Sequence, residues 1–279
     1  MTSPSSLPTI RSDHLRLRSG LQLEFAEQGR RGGPTLLMLH GITDSWRSFA
    51  PVMPLLPPDW HVIALTQRGH GGSDKPRTGY RSRDFAADAA AFARALSLPP
   101  VVVVGHSMGA TNAMRLALDH PDLVRGVVAA GAFASFADKS DLAAFIAQDI
   151  AGLTDPVPRA LARAFQLDTL AGPVAPGLVE AMTDESLRVP AHVWREAFER
   201  LLDDEVSPAL QSACVGGGHE AVGLAPDQQR RCGDALQRSL PDVRLAAWPG
   251  IGHAVHWERP ERFARELLRF VGELAARTR

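Results

Sequence analysis

Cysteine is nearly missing from this chain: Cys214 and Cys232 are the two among 279 residues. That excludes a disulfide scaffold, and neither cysteine stands in a metal-ligating spacing. Two free thiols in a reducing cytosol are expected. Lysine is as scarce, since only Lys75 and Lys139 occur among 30 basic residues. The arginine bias reads as the coding habit of a GC-rich bacterial genome, not as a binding surface. No apolar run approaches the roughly 18 residues of a membrane span. The first residues lack the apolar core of a signal peptide, so a cytoplasmic location is expected. A net charge of −1 leaves no basic surface for nucleic acid or anionic membrane. Phosphate loops, dinucleotide fingerprints and metal-ligand clusters are also missing, so no cofactor and no metal are expected. Gly216-Gly217-Gly218 lacks the lysine and the following helix of a phosphate nest.

What is present is ordinary for a soluble globular chain, at 45% hydrophobic and 22% charged residues. The length suits one large α/β domain carrying an insertion. Leu15–Leu17 and Leu21–Phe25 alternate apolar and polar around Ser19-Gly20, which predicts a hairpin. Thr35–Leu39, His61–Leu65, Val101–Val104 and Val124–Ala130 read as strands, the first a continuous apolar run suited to burial on both faces. Helical periods fall between them, over Arg83–Leu96 and Ser107–Leu118. Such alternation predicts a mostly parallel sheet with helices on both faces. From about 135 to 205 the pattern is helical and proline-broken, with short helices expected over Ala143–Ile150, Pro158–Phe165 and Ala191–Leu202. Strand and helix then return, at Ala213–Gly216, Pro226–Leu240, Val243–Trp248 and Glu258–Ala276. The chain therefore divides into a core, 1–134 and 206–279, and an inserted helical segment, 135–205.

One junction carries chemistry. Val101-Val102-Val103-Val104 runs directly into Gly105-His106-Ser107-Met108-Gly109 and then into a helical period. Gly-x-Ser-x-Gly between strand and helix is a nucleophile elbow. It lifts a serine to the C-terminal edge of the sheet, above a helix N-terminus whose N–H groups favour negative charge.

At this point the chain resembles the α/β-hydrolase family, over nearly its whole length. His40-Gly41 after a strand resembles that family's oxyanion-loop HG. Gln67-Arg68-Gly69-His70-Gly71-Gly72-Ser73 resembles its R-G-x-G-x-S turn. Gly252-His253, followed by Trp257-Glu258-Arg259-Pro260-Glu261, resembles its catalytic-histidine block. The resemblance implies an eight-stranded, mostly parallel sheet with a helical cap over residues 135–205. It also implies an acyl-enzyme on Ser107, with His253 as the base that activates a hydroxyl otherwise too weak to attack. The oxyanion hole is then the backbone N–H groups of Ile42 and Met108. Of the other histidines, His40 is expected to serve within the oxyanion loop, His106 to point away from Ser107, and His256 to be structural.

The family order is serine, acid, histidine. Glu220, in Gly217-Gly218-His219-Glu220-Ala221-Val222, matches the acid position, with Asp138 and Asp227 as alternatives. The strand expected before it, Gln211-Ser212-Ala213-Cys214-Val215, is short and poor in aliphatic residues.

The inserted segment holds Phe136, Phe145, Ile146, Phe165, Leu167, Trp194 and Phe198 but no arginine or lysine cluster. A small to medium neutral, largely apolar ester or lactone is therefore the expected partner. A hydrolase of C–C bonds in ring-fission products would use the same triad. Relatives that open epoxides or remove halide attack through aspartate, which Ser107 is not. A non-catalytic hydrolase-like ligand binder is the reading from outside enzymology. Oligomeric state is not legible.

Overall fold

The structure is a computed structural model that describes residues 9–132, 140–203, 219–222, 243–246 and 248–277. Its centre is an eight-stranded sheet in the order β1-β2-β4-β3-β5-β6-β7-β8. The strands are β1 (Arg11–Arg16), β2 (Gln22–Gly29), β3 (Thr35–Leu39), β4 (His61–Leu65), β5 (Val101–His106), β6 (Val124–Ala130), β7 (His219–Val222) and β8 (Val243–Ala246). β1 and β2 form the expected antiparallel hairpin, and β2 joins β4 antiparallel; every later pairing is parallel.

Parallel strands need cover on both faces, and the alternation of side chains supplies it. Leu37, Leu39, Ile63, Leu65, Val101 and Val103 turn to one side, where α1 (Ser82–Ala95) and α2 (Met108–Asp119) bury Ala89, Phe92, Ala113 and Leu116 against them. Leu36, Met38, Val62, Ala64, Val102 and Val104 turn to the other, against Phe49, Met53 and the C-terminal helix.

Between β6 and β7 the regular elements among the described residues are all helical. These are α3 (Ser140–Phe145) running into a π turn (Ile146–Ile150), α4 (Arg159–Asp168), α5 (Leu178–Leu187) and α6 (Ala191–Asp203). α5 was not expected from the sequence. The chain closes with α7 (Val255–Glu258) and α8 (Pro260–Arg277).

One correction concerns β7. The strand next to β6 is His219–Val222, pairing Val127–Ala130 on one side and Val243–Ala246 on the other. Glycine runs make poor strands, having no side chain to pack on a pleated surface, and β7 starts just past Gly216-Gly217-Gly218. Glu220 is thus inside the strand, in register with Val128 and Arg244, rather than in the loop beyond it. The expected strand Ala213–Gly216 and helix Pro226–Leu240 lie outside the described residues.

Candidate active site

Apart from the segment with Glu220, the loops singled out by sequence leave the same sheet edge. Leu39, Leu65, His106, Ala130, Val222 and Ala246 end their strands there. In open α/β sheets ligands bind beyond the carboxyl ends of the strands.

Ser107 follows β5 directly, with φ 54° and ψ −120°. A non-glycine residue at positive φ is strained by about 1–3 kcal/mol, so the surroundings must hold it. They do so by close approach. A Cβ on Gly105 would stand 2.2 Å from the Gly109 carbonyl oxygen, and one on Gly109 would stand 2.0 Å from that of Leu39. Only glycines permit α2 to start this close to the sheet. The Ser107 N–H donates to Ala130 O at 2.9 Å, fixing the turn to the end of β6. Met108 is the first residue of α2, where helical N–H groups have no partner in their own helix.

His253 stands against the same corner. A Cβ on Gly131 would lie 2.8 Å from its Cε1 and 2.9 Å from its Nδ1, so the imidazole uses space that only glycine leaves. His106 Nε2–H donates to the His253 carbonyl at 3.1 Å, and the two rings are 4.9 Å apart. The residue before the elbow serine therefore holds the backbone of the histidine. The His106 side chain thus turns toward the histidine loop. Burial among His256, His253 and His40 keeps its pKa well below the usual value.

The histidine loop is anchored a second time by Glu258 on α7. Its Oε1 accepts from Gly252 N at 2.9 Å and from Ala171 N at 2.8 Å, and Ala254 N donates to Thr169 O at 3.1 Å. Residues 169–171, which follow α4, thus clasp the loop that carries His253.

The loop after β3 forms a tight turn, closed by Asp44 N donating to Gly41 O at 3.3 Å. Ile42 stands at its tip, and Thr43 takes φ 68°. His40 is held as expected: its Nδ1–H donates to Gly41 O at 2.7 Å and its Nε2 accepts from Gln67 N at 2.9 Å. Full burial keeps it neutral by lowering its pKa far below 6.5.

Beneath this turn lies a buried polar cluster that the sequence did not disclose. Asp44 Oδ1 accepts from Gln166 Nε2 at 3.0 Å, and Oδ2 accepts from Ser48 Oγ at 3.0 Å. His256 Nε2–H donates to Ser48 Oγ at 2.9 Å. Burial pushes the Asp44 carboxyl up to about 7 and drives His256 down to about 3. No short motif marks this cluster, because its members come from the oxyanion loop, α4 and α7.

Ile42 and Met108 share one apolar cluster with Ile146, Ile150, Val157, Trp194 and Phe198 from the inserted segment, with Phe145 and Phe165 packed against it. The wall around the two expected oxyanion donors is aliphatic and aromatic. Among the described residues no group of histidine, cysteine, aspartate or glutamate could hold a metal ion, and no helix is long and apolar enough to cross a membrane.

Glu220 sits two residues before the end of β7, about 6.6 Å short of the edge where Ser107 stands. Asp138 and Asp227 lie outside the described residues.

The fold, the elbow and the histidine loop together define a class, and comparison with known proteins agrees. Residues 34–207 match the family described as "alpha/beta hydrolase fold". The chain belongs to that family. It is 31% identical over 281 residues to 2-(acetamidomethylene)succinate hydrolase of Mesorhizobium japonicum, covering 94% of this chain and 97% of that one. A crystal structure of E-2-(acetamidomethylene)succinate hydrolase superposes with a TM-score of 0.79 at 26% identity, covering 95% of this chain and 100% of the other. An esterase from Exiguobacterium antarcticum superposes with a TM-score of 0.80 at 21% identity, over 93% of this chain and 98% of the other; at that identity it speaks for the fold alone.

Proposed function

We propose that this chain is a serine hydrolase that cleaves a carboxylic ester or lactone of a small to medium, largely apolar neutral substrate. The observation that carries the reading is Ser107 held at positive φ on the elbow, with its neighbour His106 bonded to the backbone of His253. Ser107 Oγ attacks the substrate carbonyl while His253 takes its proton. The tetrahedral oxyanion is received by the N–H groups of Ile42 and Met108. His253 returns the proton to the leaving alcohol, and water then releases the acid from Ser107 by the same steps in reverse. The sequence reading names Glu220 as the acid that orients His253. Its position inside β7 weighs toward the acids that follow β6 and β7, Asp138 and Asp227. The apolar surroundings of Ile42 and Met108 support a neutral substrate.

A second reading has its own support. The Mesorhizobium relative that matches over nearly the full length acts, by its name, on an acetamido-substituted succinate. Amide cleavage by the same serine is therefore the first alternative, ahead of C–C bond hydrolysis and of ligand binding without turnover.

The test is labelling with a fluorophosphonate probe followed by peptide mass spectrometry, with a panel of neutral and anionic esters and amides. Labelling at Ser107, lost in Ser107→Ala and His253→Ala, is the expected result. Running Glu220→Gln, Asp138→Asn and Asp227→Asn beside them assigns the acid. Absence of labelling in wild type would sink the hydrolase reading and leave the ligand-binding one.

A further inference from the structure

Asp44 has no part in the steps above, yet it is a fully buried carboxyl two residues from the proposed oxyanion donor Ile42. We propose that Asp44 and Gln166 form a latch through which the helices between β6 and β7 hold Ile42 in position, making Asp44 a positioning residue for hydrolysis. The latch rests on the serine-hydrolase reading for its catalytic meaning, though not for its existence.

Three observations converge on it. First, the turn that presents Ile42 is strained at Thr43, which sits at φ 68° with a β-branched side chain. Such a conformation persists only where the surroundings over-determine it. Second, the bonds that hold it come from outside the sheet. Thr43 Oγ1 pairs with Ser186 Oγ of α5 at 3.1 Å. Gln166 Nε2 of α4 reaches Asp44 Oδ1 at 3.0 Å, Ser186 Oγ at 2.9 Å and Thr43 Oγ1 at 3.4 Å. Third, the carboxyl is poorly suited to stability. Its bonded donors are the neutral Gln166 and Ser48, and among the described residues no arginine or lysine bonds it. Glu185 of α5 adds a like charge nearby, itself paired with Arg47 and Arg188. On the remaining side are Gly41, with His106 Nδ1 beyond it, and His256 behind Ser48. Burying an ionisable group without a counter-charge costs more than an apolar residue of similar volume would. What a carboxyl offers here is two acceptor oxygens, one for the inserted helices and one for the Ser48–His256 pair beside the histidine loop.

The test exchanges donor and acceptor. Asp44→Asn leaves one acceptor oxygen where two are used, so the bonds from Gln166 and Ser48 cannot both persist, and Gln166→Glu sets carboxyl against carboxyl. The double variant restores one donor facing one acceptor. Assays use a neutral aryl ester at pH 8, where a shared proton between two carboxyls is least favoured. Each single variant is expected to lower kcat about tenfold to hundredfold with KM little changed, below the roughly 10²–10³ lost when an oxyanion donor is removed outright. The double variant is expected to recover most of that loss. Gln166→Met, apolar and of similar length, covers the case in which the paired-carboxyl variant does not fold, with the same fall in kcat expected. Hydrogen exchange of peptides covering 40–45 and 159–168 reads the latch without turnover. Both segments should loosen together in each single variant and tighten together in the double. Unchanged kcat in the single variants, or no recovery in a folded double variant, overturns the proposal. If wild type turns over no ester, exchange alone decides the latch, and the hydrolase reading itself fails only if Ser107 also takes no fluorophosphonate label. Coupled loosening then supports the latch, and independent or unchanged exchange refutes it.

Discussion

Ser107 and Asp44 are both kept in conformations or states that cost stability, and each makes a prediction. Ser107→Ala leaves the elbow backbone and its bond to Ala130 in place. Ester turnover is expected to fall by up to about 10⁶ while the thermal midpoint stays near wild type, measured by calorimetry beside the assay. For Asp44, the folded carboxyl is raised from 3.8 to about 7 by desolvation, so the unfolded chain ionises first as pH rises. Its contribution to stability is therefore fully present below about pH 4 and is lost progressively as pH climbs through 7. Between pH 5 and pH 8 the thermal midpoint of wild type should fall relative to that of Asp44→Asn; a difference that stays constant would contradict the burial effect. His256, near 3, and His106, also lowered by burial, stay neutral in the folded protein while histidines of the unfolded chain titrate near 6.5, so they raise stability with pH across the same window; they do so equally in both proteins, and the comparison cancels them. The elbow at Ser107 and the loop at His253 were legible as local structure because each is a short string whose neighbours are fixed by a tight turn. Asp44 and Gln166 were not, being 122 positions apart and joined only by folding.

At the level of elements, β3, β4 and β6 fall on the residues expected, because continuous aliphatic runs bounded by turn residues have few alternatives. α5 was missed. It starts after Gly177 in a left-handed conformation, with no side-chain cap bond to announce it. β7 was displaced because a glycine run was taken for the loop beyond a strand when the strand follows it. One inter-element contact is open to a direct test. Arg68, from the turn after β4, makes a two-point ion pair with Asp88 of α1, at 2.5 and 2.6 Å, and a third bond to Gly79 O at 2.9 Å. Removing one partner leaves the other desolvated and unpaired, at about 3–5 kcal/mol for a buried pair. This one is partly shielded, so Asp88→Ala should cost toward the lower figure in urea unfolding. A loss below about 0.5 kcal/mol would place the pair with surface bridges.

Across the whole molecule, six of the eight described strands precede residue 132, and the helices between β6 and β7 add an apolar wall rather than a charged one. Phe145, Phe165, Trp194 and Phe198 form a connected set of ring contacts at 5.5–5.9 Å. Neutral esters are therefore expected to outcompete their carboxylate-bearing analogues in kcat/KM. Phe165→Ala should act mainly on KM for bulky acyl groups, and a preference for anionic substrates would count against the apolar wall. The order of the parts along the chain has a consequence during synthesis. The elbow that carries Ser107 belongs to a section of sheet whose strands are complete by Ala130, whereas His253 is made 146 residues after Ser107. At roughly 5–20 residues per second, that is an interval of about 7 to 30 seconds. On the proposed mechanism, the nascent chain can hold a shaped serine throughout that interval with its base still to be made, so turnover would wait on the synthesis of His253.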